Sequence, residues 1–130
     1  ADALILGCPT YMGSVSAALK SFMDASSAVW FEQRWRNKLA AGFTVGGGLS
    51  GDKLGALQAM CTFACQHSMI WVSQGVGVND TGIDRLGSLG MMAQAGNAPA
   101  DETPPEIDHR TAEAFGERVA HAALRWRTGE

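Results

Sequence analysis

The sequence predicts a single α/β domain built on a parallel sheet with helices on both faces. Two apolar runs without polar alternation, residues 3–8 and 39–45, are typical of strands that are buried on both faces. A segment with apolar residues at helical spacing follows each run. Because ligands in such sheets bind beyond the carboxyl ends of the strands, the loops that leave these two runs are the first candidates for a functional site.

The predicted elements follow the order β-α-β-α-β-loop-β-α. Ser14 is predicted to cap the first helix, which ends near residues 26–28, and Asp52 begins the second helix. The other segments, in chain order, are an aromatic and basic turn at 29–36, a strand at 69–72, a long loop at 74–89, a short strand at 90–94 and an amphipathic final helix. The sequence Thr103-Pro-Pro-Glu106 predicts a capping box at the start of that helix, with proline at its first position.

The composition excludes several classes of function. The chain has 130 residues, a net charge of −3, 46% apolar and 18% charged residues, which is ordinary for one globular domain. It has no basic run of the kind that binds nucleic acid and no apolar run long enough to span a membrane. Cys8, Cys61 and Cys65 lack metal-ligand and redox spacing, so we interpret all three as buried thiols in a reducing cytoplasm and expect no metal site.

The stretch TVGGGLSGDKL, residues 44–54, nearly matches a triphosphate-binding loop. That motif requires Gly, four residues, and then Gly-Lys-Ser or Gly-Lys-Thr. Gly46 and Gly51 fit, but Asp52 stands in place of the lysine and Lys53 follows one position late. We therefore predict that the glycines let the backbone approach another kind of ligand closely, and that Lys53 is a solvated residue in the first turn of a helix. A flexible connector is the alternative interpretation.

The loop at residues 9–13, Pro-Thr-Tyr-Met-Gly, offers backbone N–H groups, a hydroxyl and two flat or polarizable side chains. These groups suit an aromatic, hydrogen-bonding ligand better than a phosphate, and a plain strand-to-helix turn is the alternative. Taken alone, Trp30 fits a core or interface residue, and His67 fits a histidine at a helix C-terminus. No Ser-His-Asp or Cys-His arrangement and no pair of carboxylates is placed for hydrolysis, so we expect a cofactor to supply any chemistry.

Five segments, PTYMGSVSAALKSFMD, AVW, KLAAGFTVGGGLSGDKL, QHSMIWV and RLGSLGMMAQ, cover nearly the whole chain in this order. Together they resemble the flavodoxin-like NAD(P)H:quinone oxidoreductases, the group that includes the tryptophan-repressor-binding-protein-like flavoproteins. The resemblance implies a flavodoxin-like three-layer α/β/α fold that binds FMN. It also implies an enzyme in which hydride passes from NAD(P)H through FMN to a quinone-like acceptor, in a homodimer or homotetramer whose neighbouring subunits complete the pocket. The alternatives are an FMN-binding electron carrier without a substrate pocket and a degenerate fold that binds nothing.

The resemblance also implies the site residues. The two loops along the flavin ring correspond to Pro9, Thr10, Tyr11, Met12 and Gly13, and to Val45, Gly46, Gly47, Gly48, Leu49 and Ser50. The substrate side corresponds to Trp30, Tyr11, Gln66 and His67. Many members have two histidines where this chain has Gln66 and His67, so Gln66 replaces the histidine that lines the ring pocket. No side chain is expected to act as an acid or a base.

The start of the chain departs from the family pattern. In this fold the FMN phosphate lies on a Ser/Thr-rich loop after the first strand, at a helix N-terminus. The sequence opens almost directly in a strand. The resemblance therefore implies that the phosphate loop and the N-terminal strands are missing ahead of Ala1. Residues 1–130 would then be the C-terminal two-thirds of one flavodoxin-like domain, able to form one side of a flavin pocket.

Overall fold

In a computed structural model, which describes residues 1–77 and 87–129, the chain forms a parallel sheet between two layers of helices. The elements are β1 (Ala3–Pro9), α1 (Ala17–Ala25), α2 (Ser27–Phe31), β2 (Leu39–Gly46), α3 (Lys53–Gln66), β3 (Ile70–Trp71), β4 (Met91–Gln94) and α4 (Glu106–Thr128). The predicted α/β order is confirmed except for α2, because residues 29–31, predicted to lie in a turn, are helical. Most of the loop predicted at residues 74–89 lies outside the described residues. None of the described helices combines the length and the apolar character that a membrane span needs.

β2 is the centre of the sheet. β1 pairs with it in parallel along its whole length, from Ala3 opposite Leu39 to Pro9 opposite Val45. The other edge of β2 is shared, since residues 39–40 pair with β3 and residues 43–46 pair with β4. β3 and β4 therefore lie end to end in one strand position beside β2.

The two faces of the sheet are covered by different helices. On one face, Leu39 and Ala41 pack with Phe115 and Val119 of α4. On the other face, Leu6 and Cys8 of β1 form a cluster with Leu57 and Met60 of α3. Because side chains alternate along a strand, this arrangement is the three-layer architecture that the sequence predicts.

One face of β1 is open, so the prediction that this strand is buried on both faces is wrong. Ile5 is 46% exposed, and Phe43 beside it on β2 is 43% exposed. The Phe43 ring lies directly over Gly7, where an added Cβ would fall 2.1 Å from the ring. α4 packs against β1 at Ala3 but leaves Ile5 and Gly7 uncovered. Within the described residues, the outer edge of β1 also has no partner strand.

Both predicted helix caps are wrong. Ser16, not Ser14, caps α1, and its hydroxyl accepts the Leu19 N–H at 3.3 Å. Ser14 is instead paired with the preceding loop. α4 begins at Glu106 after Pro105, whose extended backbone (φ −67°, ψ 161°) replaces the predicted capping box and has no side-chain cap bond.

Candidate functional site

The loops that follow β1 and β2 are joined at the carboxyl edge of the sheet. The Thr10 N–H donates to the Val45 carbonyl at 2.7 Å, and the Thr10 and Thr44 hydroxyl oxygens are also 2.7 Å apart. Thr44 donates its own proton to the Cys8 carbonyl at 2.8 Å. Thr10 must therefore be the donor to Thr44, and its hydroxyl proton points into the protein rather than toward a ligand.

The rest of the first loop is a tight, exposed turn. Tyr11 and Ser14 exchange two backbone hydrogen bonds, of 3.0 and 3.1 Å, and hold residues 12 and 13 at the tip. Met12 and Gly13 have positive φ angles of 49° and 74°, which suits the glycine and is uncommon for the methionine. The Tyr11 side chain is 63% exposed and Met12 is fully exposed. The loop thus presents two flat or polarizable side chains at the rim of the sheet.

The second loop, residues 46–51, is called the glycine loop below. Its first carbonyl groups are hydrogen-bonded, whereas most of its N–H groups are available. The Gly46 carbonyl accepts the Ala95 N–H at 3.0 Å, and the Gly47 carbonyl accepts the Gln94 side-chain amide at 3.1 Å. The Gly48 carbonyl accepts the Lys53 ammonium at 2.6 Å. Within the described part of the chain, the backbone N–H groups of residues 47–50 have no acceptor. A Cβ on Gly47 would meet only the Ala95 carbonyl oxygen, at 3.6 Å. The loop therefore offers consecutive donors and open space to a ligand rich in acceptors.

Lys53 is buried, so the prediction of a solvated side chain is wrong. Only 6% of the residue is exposed, and its ammonium lies under the glycine loop. The stem of the side chain is so close to Gly46 that an added Cβ there would fall 3.1 Å from Lys53 Cε. Asp52 adopts a left-handed conformation (φ 44°) just before α3. Sequence reasoning missed the role of Lys53, although the lysine directly after the glycine loop was the signal that could have revealed it.

The same helical turn also contacts the first loop. A Cβ added at Gly55 would fall 2.2 Å from the carbonyl oxygen of Gly13. Only a glycine allows the loop backbone to approach α3 this closely. The first turn of α3 therefore meets both candidate flavin loops.

Three of the four predicted substrate-side residues share one groove. Trp30, Gln66 and His67 line a groove of about 680 Å³ between the α1–α2 segment and α3. Tyr11 is not among the lining residues, but Ser14, which closes its loop, is. The groove thus runs from the base of the first loop along the outside of α3.

His67 is a buried, neutral histidine within that groove wall. It is 1% exposed and lies between the rings of Trp35 and Phe63, with centroid distances of 4.6 and 4.7 Å. Its Nε2 is 2.9 Å from the Ser26 hydroxyl, which itself donates to the Met23 carbonyl at 2.7 Å. Nε2 must therefore carry the proton, and Nδ1 has no hydrogen-bond partner among the described residues. Burial lowers the pKa of His67.

The cysteines are only partly as predicted. Cys8 is buried, Cys61 is half-buried and Cys65 is exposed, so the prediction of three buried thiols is wrong for Cys65, which lies on the outer face of α3. Burial, followed by the neighbouring Cys65 thiol, raises the pKa of Cys61. No group of three or more metal-ligating side chains occurs among the residues that the structure describes.

Comparison with known proteins identifies the family. Residues 1–82 match the family model of the NADPH-dependent FMN reductases. The chain belongs to this family. It is 39% identical over 127 residues to flavodoxin FldP of Pseudomonas aeruginosa, covering 92% of this chain and 69% of FldP. It is 31% identical over 122 residues to an NAD(P)H dehydrogenase (quinone) of Archaeoglobus fulgidus, covering 94% of this chain and 59% of that protein.

Solved structures agree with this assignment. A flavodoxin, WrbA-like protein from Agrobacterium tumefaciens superposes with a TM-score of 0.75 at 39% identity, over 96% of this chain and 68% of that one. A Fusobacterium nucleatum flavodoxin bound to flavin mononucleotide has a TM-score of 0.58 at 17% identity, over 95% and 71% of the two chains, which supports the fold alone. The flavodoxin-like fold is therefore confirmed. The family match begins at residue 1, so it gives no support to the predicted loss of N-terminal strands.

Proposed function

We propose that this protein binds FMN between its two rim loops and passes hydride from NAD(P)H through the flavin to a quinone-like acceptor. The observation that supports this most directly is the glycine loop, whose carbonyls are engaged while its N–H groups are open beside the loop of residues 9–13. A flavin ring has a flat surface and an edge rich in acceptors, and this arrangement fits both. When bound, the flavin accepts and donates hydride, so no side chain of the chain need act as an acid or a base.

The residues of the chain have separate roles in this proposal. The N–H groups of residues 47–50 would donate to the acceptor edge of the ring, and the backbone of residues 11–13 would lie along it. Thr10 supports the first loop from below, since its hydroxyl proton is engaged with Thr44. These groups orient the ring and adjust its electron affinity through hydrogen bonds.

The acceptor would approach the face that Tyr11 and Trp30 flank. Tyr11 is 63% and Trp30 is 44% exposed. Exposed aromatic side chains beside an open groove are typical of surfaces that another subunit covers. We propose that a neighbouring copy in a homodimer or homotetramer completes this pocket, with Gln66 and His67 in its wall.

An electron carrier without its own substrate pocket is the second candidate. It is favoured by the 39% identity to a protein named flavodoxin FldP and by the bare tip of the first loop. Steady-state oxidation of NADH and of NADPH by the flavin-loaded protein, with benzoquinone as acceptor, separates the two. Turnover supports the reductase, whereas bound flavin without turnover supports the carrier. A protein that gains no flavin absorbance with added FMN would exclude both.

We further propose that a strand and a helix outside residues 1–130 complete the FMN site. The support is structural: the outer edge of β1 is unpaired in the described residues, and the face formed by Ile5, Gly7 and Phe43 is exposed. An unpaired edge and an apolar face are surfaces that proteins usually cover. FldP and the Archaeoglobus protein are also longer than the part that this chain matches.

A further inference from the structure

We propose that Lys53 and Gly55, in the first turn of α3, are positioning residues that act before any flavin binds. They set the width of the flavin cleft, which is the space between the glycine loop and the loop of residues 9–13. This inference rests on the proposed function for its ligand, but the contacts that support it belong to the chain itself. Lys53 holds the glycine loop through a hydrogen bond, and Gly55 leaves the space that the Gly13 carbonyl of the first loop occupies.

Lys53 acts on the glycine loop through the Gly48 carbonyl. A buried ammonium that donates at 2.6 Å fixes the orientation of the peptide that follows Gly48. Because that carbonyl is directed inward, the N–H of the same peptide, which belongs to Leu49, is directed outward. The hydrogen bond of Lys53 thus keeps the Leu49 N–H of the loop directed outward.

Gly55 acts on the first loop through close contact. The carbonyl oxygen of Gly13 occupies the space where any side chain at residue 55 would begin, 2.2 Å from the ideal Cβ position. Even an alanine would push the tip of the loop away from α3, since contacts below 3.0 Å do not occur for real Cβ atoms. The position of Gly13 along the rim is therefore set by the absence of a side chain at residue 55.

The two contacts act on different loops because residues i and i+2 of a helix point in different directions. A helical turn is stiff, so a change in the separation of the two loops would disturb at least one of these contacts. A cleft that is already formed avoids the entropic cost of ordering loops on binding. Lys53 and Gly55 therefore raise the affinity for FMN without touching substrate or changing the reaction.

The experiment compares two variants with two matched controls in the full chain. Lys53→Met keeps the length of the stem and removes the donor. Lys20→Met is its control, because Lys20 is exposed and its ammonium pairs with Asp24 one turn away in α1. Gly55→Ala adds the Cβ, and Gly116→Ala in α4 is its control, because a Cβ there meets nothing within 4 Å. The measurements are the Kd for FMN by flavin fluorescence, thermal stability, and the NMR amide signals and order parameters of the FMN-free protein.

We expect Lys53→Met to lower the order parameters of residues 47–50, and Gly55→Ala to shift the amide signals of residues 11–13. Each should raise the Kd for FMN at least about tenfold, with both controls unchanged. Loss of thermal stability with unchanged loop signals and unchanged Kd in the folded protein would overturn the inference. If the wild-type chain binds no FMN, the proposed function fails by itself, and the loop signals still decide whether Lys53 and Gly55 hold the loops.

Discussion

The Ser26 hydroxyl lies 2.9 Å from Nε2 of His67, in a buried contact that joins the end of α1 to the end of α3. The Ser26 proton is engaged with the Met23 carbonyl, so Nε2 of His67 carries a proton and donates to Ser26. A protonated His67 would have a second N–H without an acceptor among the described residues. Burial at this contact therefore favours the neutral form of His67, which is the cause of its lowered pKa.

The first prediction concerns pH and stability. Burial lowers the pKa of folded His67, whereas in the unfolded chain the pKa is about 6.5. As pH falls below about 6.5, the unfolded chain takes up a proton that the folded protein does not, so the free energy of unfolding decreases. The decrease ends below the folded pKa.

Urea denaturation between pH 8 and pH 5 should show this slope, and His67→Phe, which keeps the ring contacts, should reduce it. The same slope in His67→Phe as in wild type would assign the pH dependence to other groups, and His121→Gln, on the exposed face of α4, is the control.

The second prediction concerns the same contact without a change of pH. Ser26→Ala removes the acceptor for the buried His67 N–H and should lower the free energy of unfolding by about 1–3 kcal/mol. Chemical denaturation at pH 8 measures this loss. Ser27→Ala is a suitable control, because Ser27 is exposed and adjacent in sequence. Equal stability of the Ser26 and Ser27 variants would mean that the hydrogen bond contributes little.

The third prediction separates ligand space from folding at the glycine loop. A side chain at Gly47 has room in the FMN-free protein, because the nearest atom to its Cβ position is 3.6 Å away. Gly47→Val should therefore change the free energy of unfolding by no more than about 0.5 kcal/mol, while blocking the close approach of a flavin ring and weakening FMN binding at least about tenfold. Gly96→Val is the control, since nothing lies within 4 Å of its Cβ position. Equal losses of stability and FMN affinity at Gly47 would make the loop a structural turn only.

The parallel sheet and the alternation of strands and helices along the chain could be predicted because apolar runs and helical spacing are local properties of the sequence. The open face of β1 could not be predicted, because an apolar run such as Ile5 to Gly7 looks the same whether or not a helix covers it. The two-residue length of β3 could not be predicted either. β3 and β4 share one edge of β2, and this sharing is visible only in the folded structure.

The candidate site was also predictable only in part. The two loops follow from their position after β1 and β2 and from the family resemblance. Lys53 is buried under the glycine loop and directly follows a left-handed turn at Asp52, a conformation that the residue type alone does not reveal. The role of Gly55 depends on a contact with Gly13, 42 positions earlier in the sequence, and such long-range contacts leave no local pattern.

The fourth prediction concerns the acceptor side. Trp30→Ala removes a half-exposed ring from the groove and should raise the KM for benzoquinone several-fold. The reason is that the loss of contact area that serves substrate binding alone changes KM rather than kcat. The Kd for FMN should stay within about twofold. Phe31→Ala is a matched control, because its ring is 82% exposed and does not line the groove. Steady-state kinetics on the FMN-loaded protein provides both constants. Unchanged kinetics in Trp30→Ala would remove this residue from the proposed substrate site.

The last prediction tests where the flavin phosphate is held. If the phosphate site lies outside residues 1–130, this chain contacts only the ring, and FMN and riboflavin should bind with Kd values within about threefold of each other. A phosphate that accepted charge-assisted hydrogen bonds within the chain would add about 1.5–3 kcal/mol, which corresponds to a preference for FMN of more than about tenfold. Fluorescence titrations with both flavins measure the ratio, and added inorganic phosphate serves as a control that should not compete. A preference for FMN above tenfold, reduced by inorganic phosphate, would place the phosphate site within residues 1–130 and contradict the proposal that an outside strand and helix complete it.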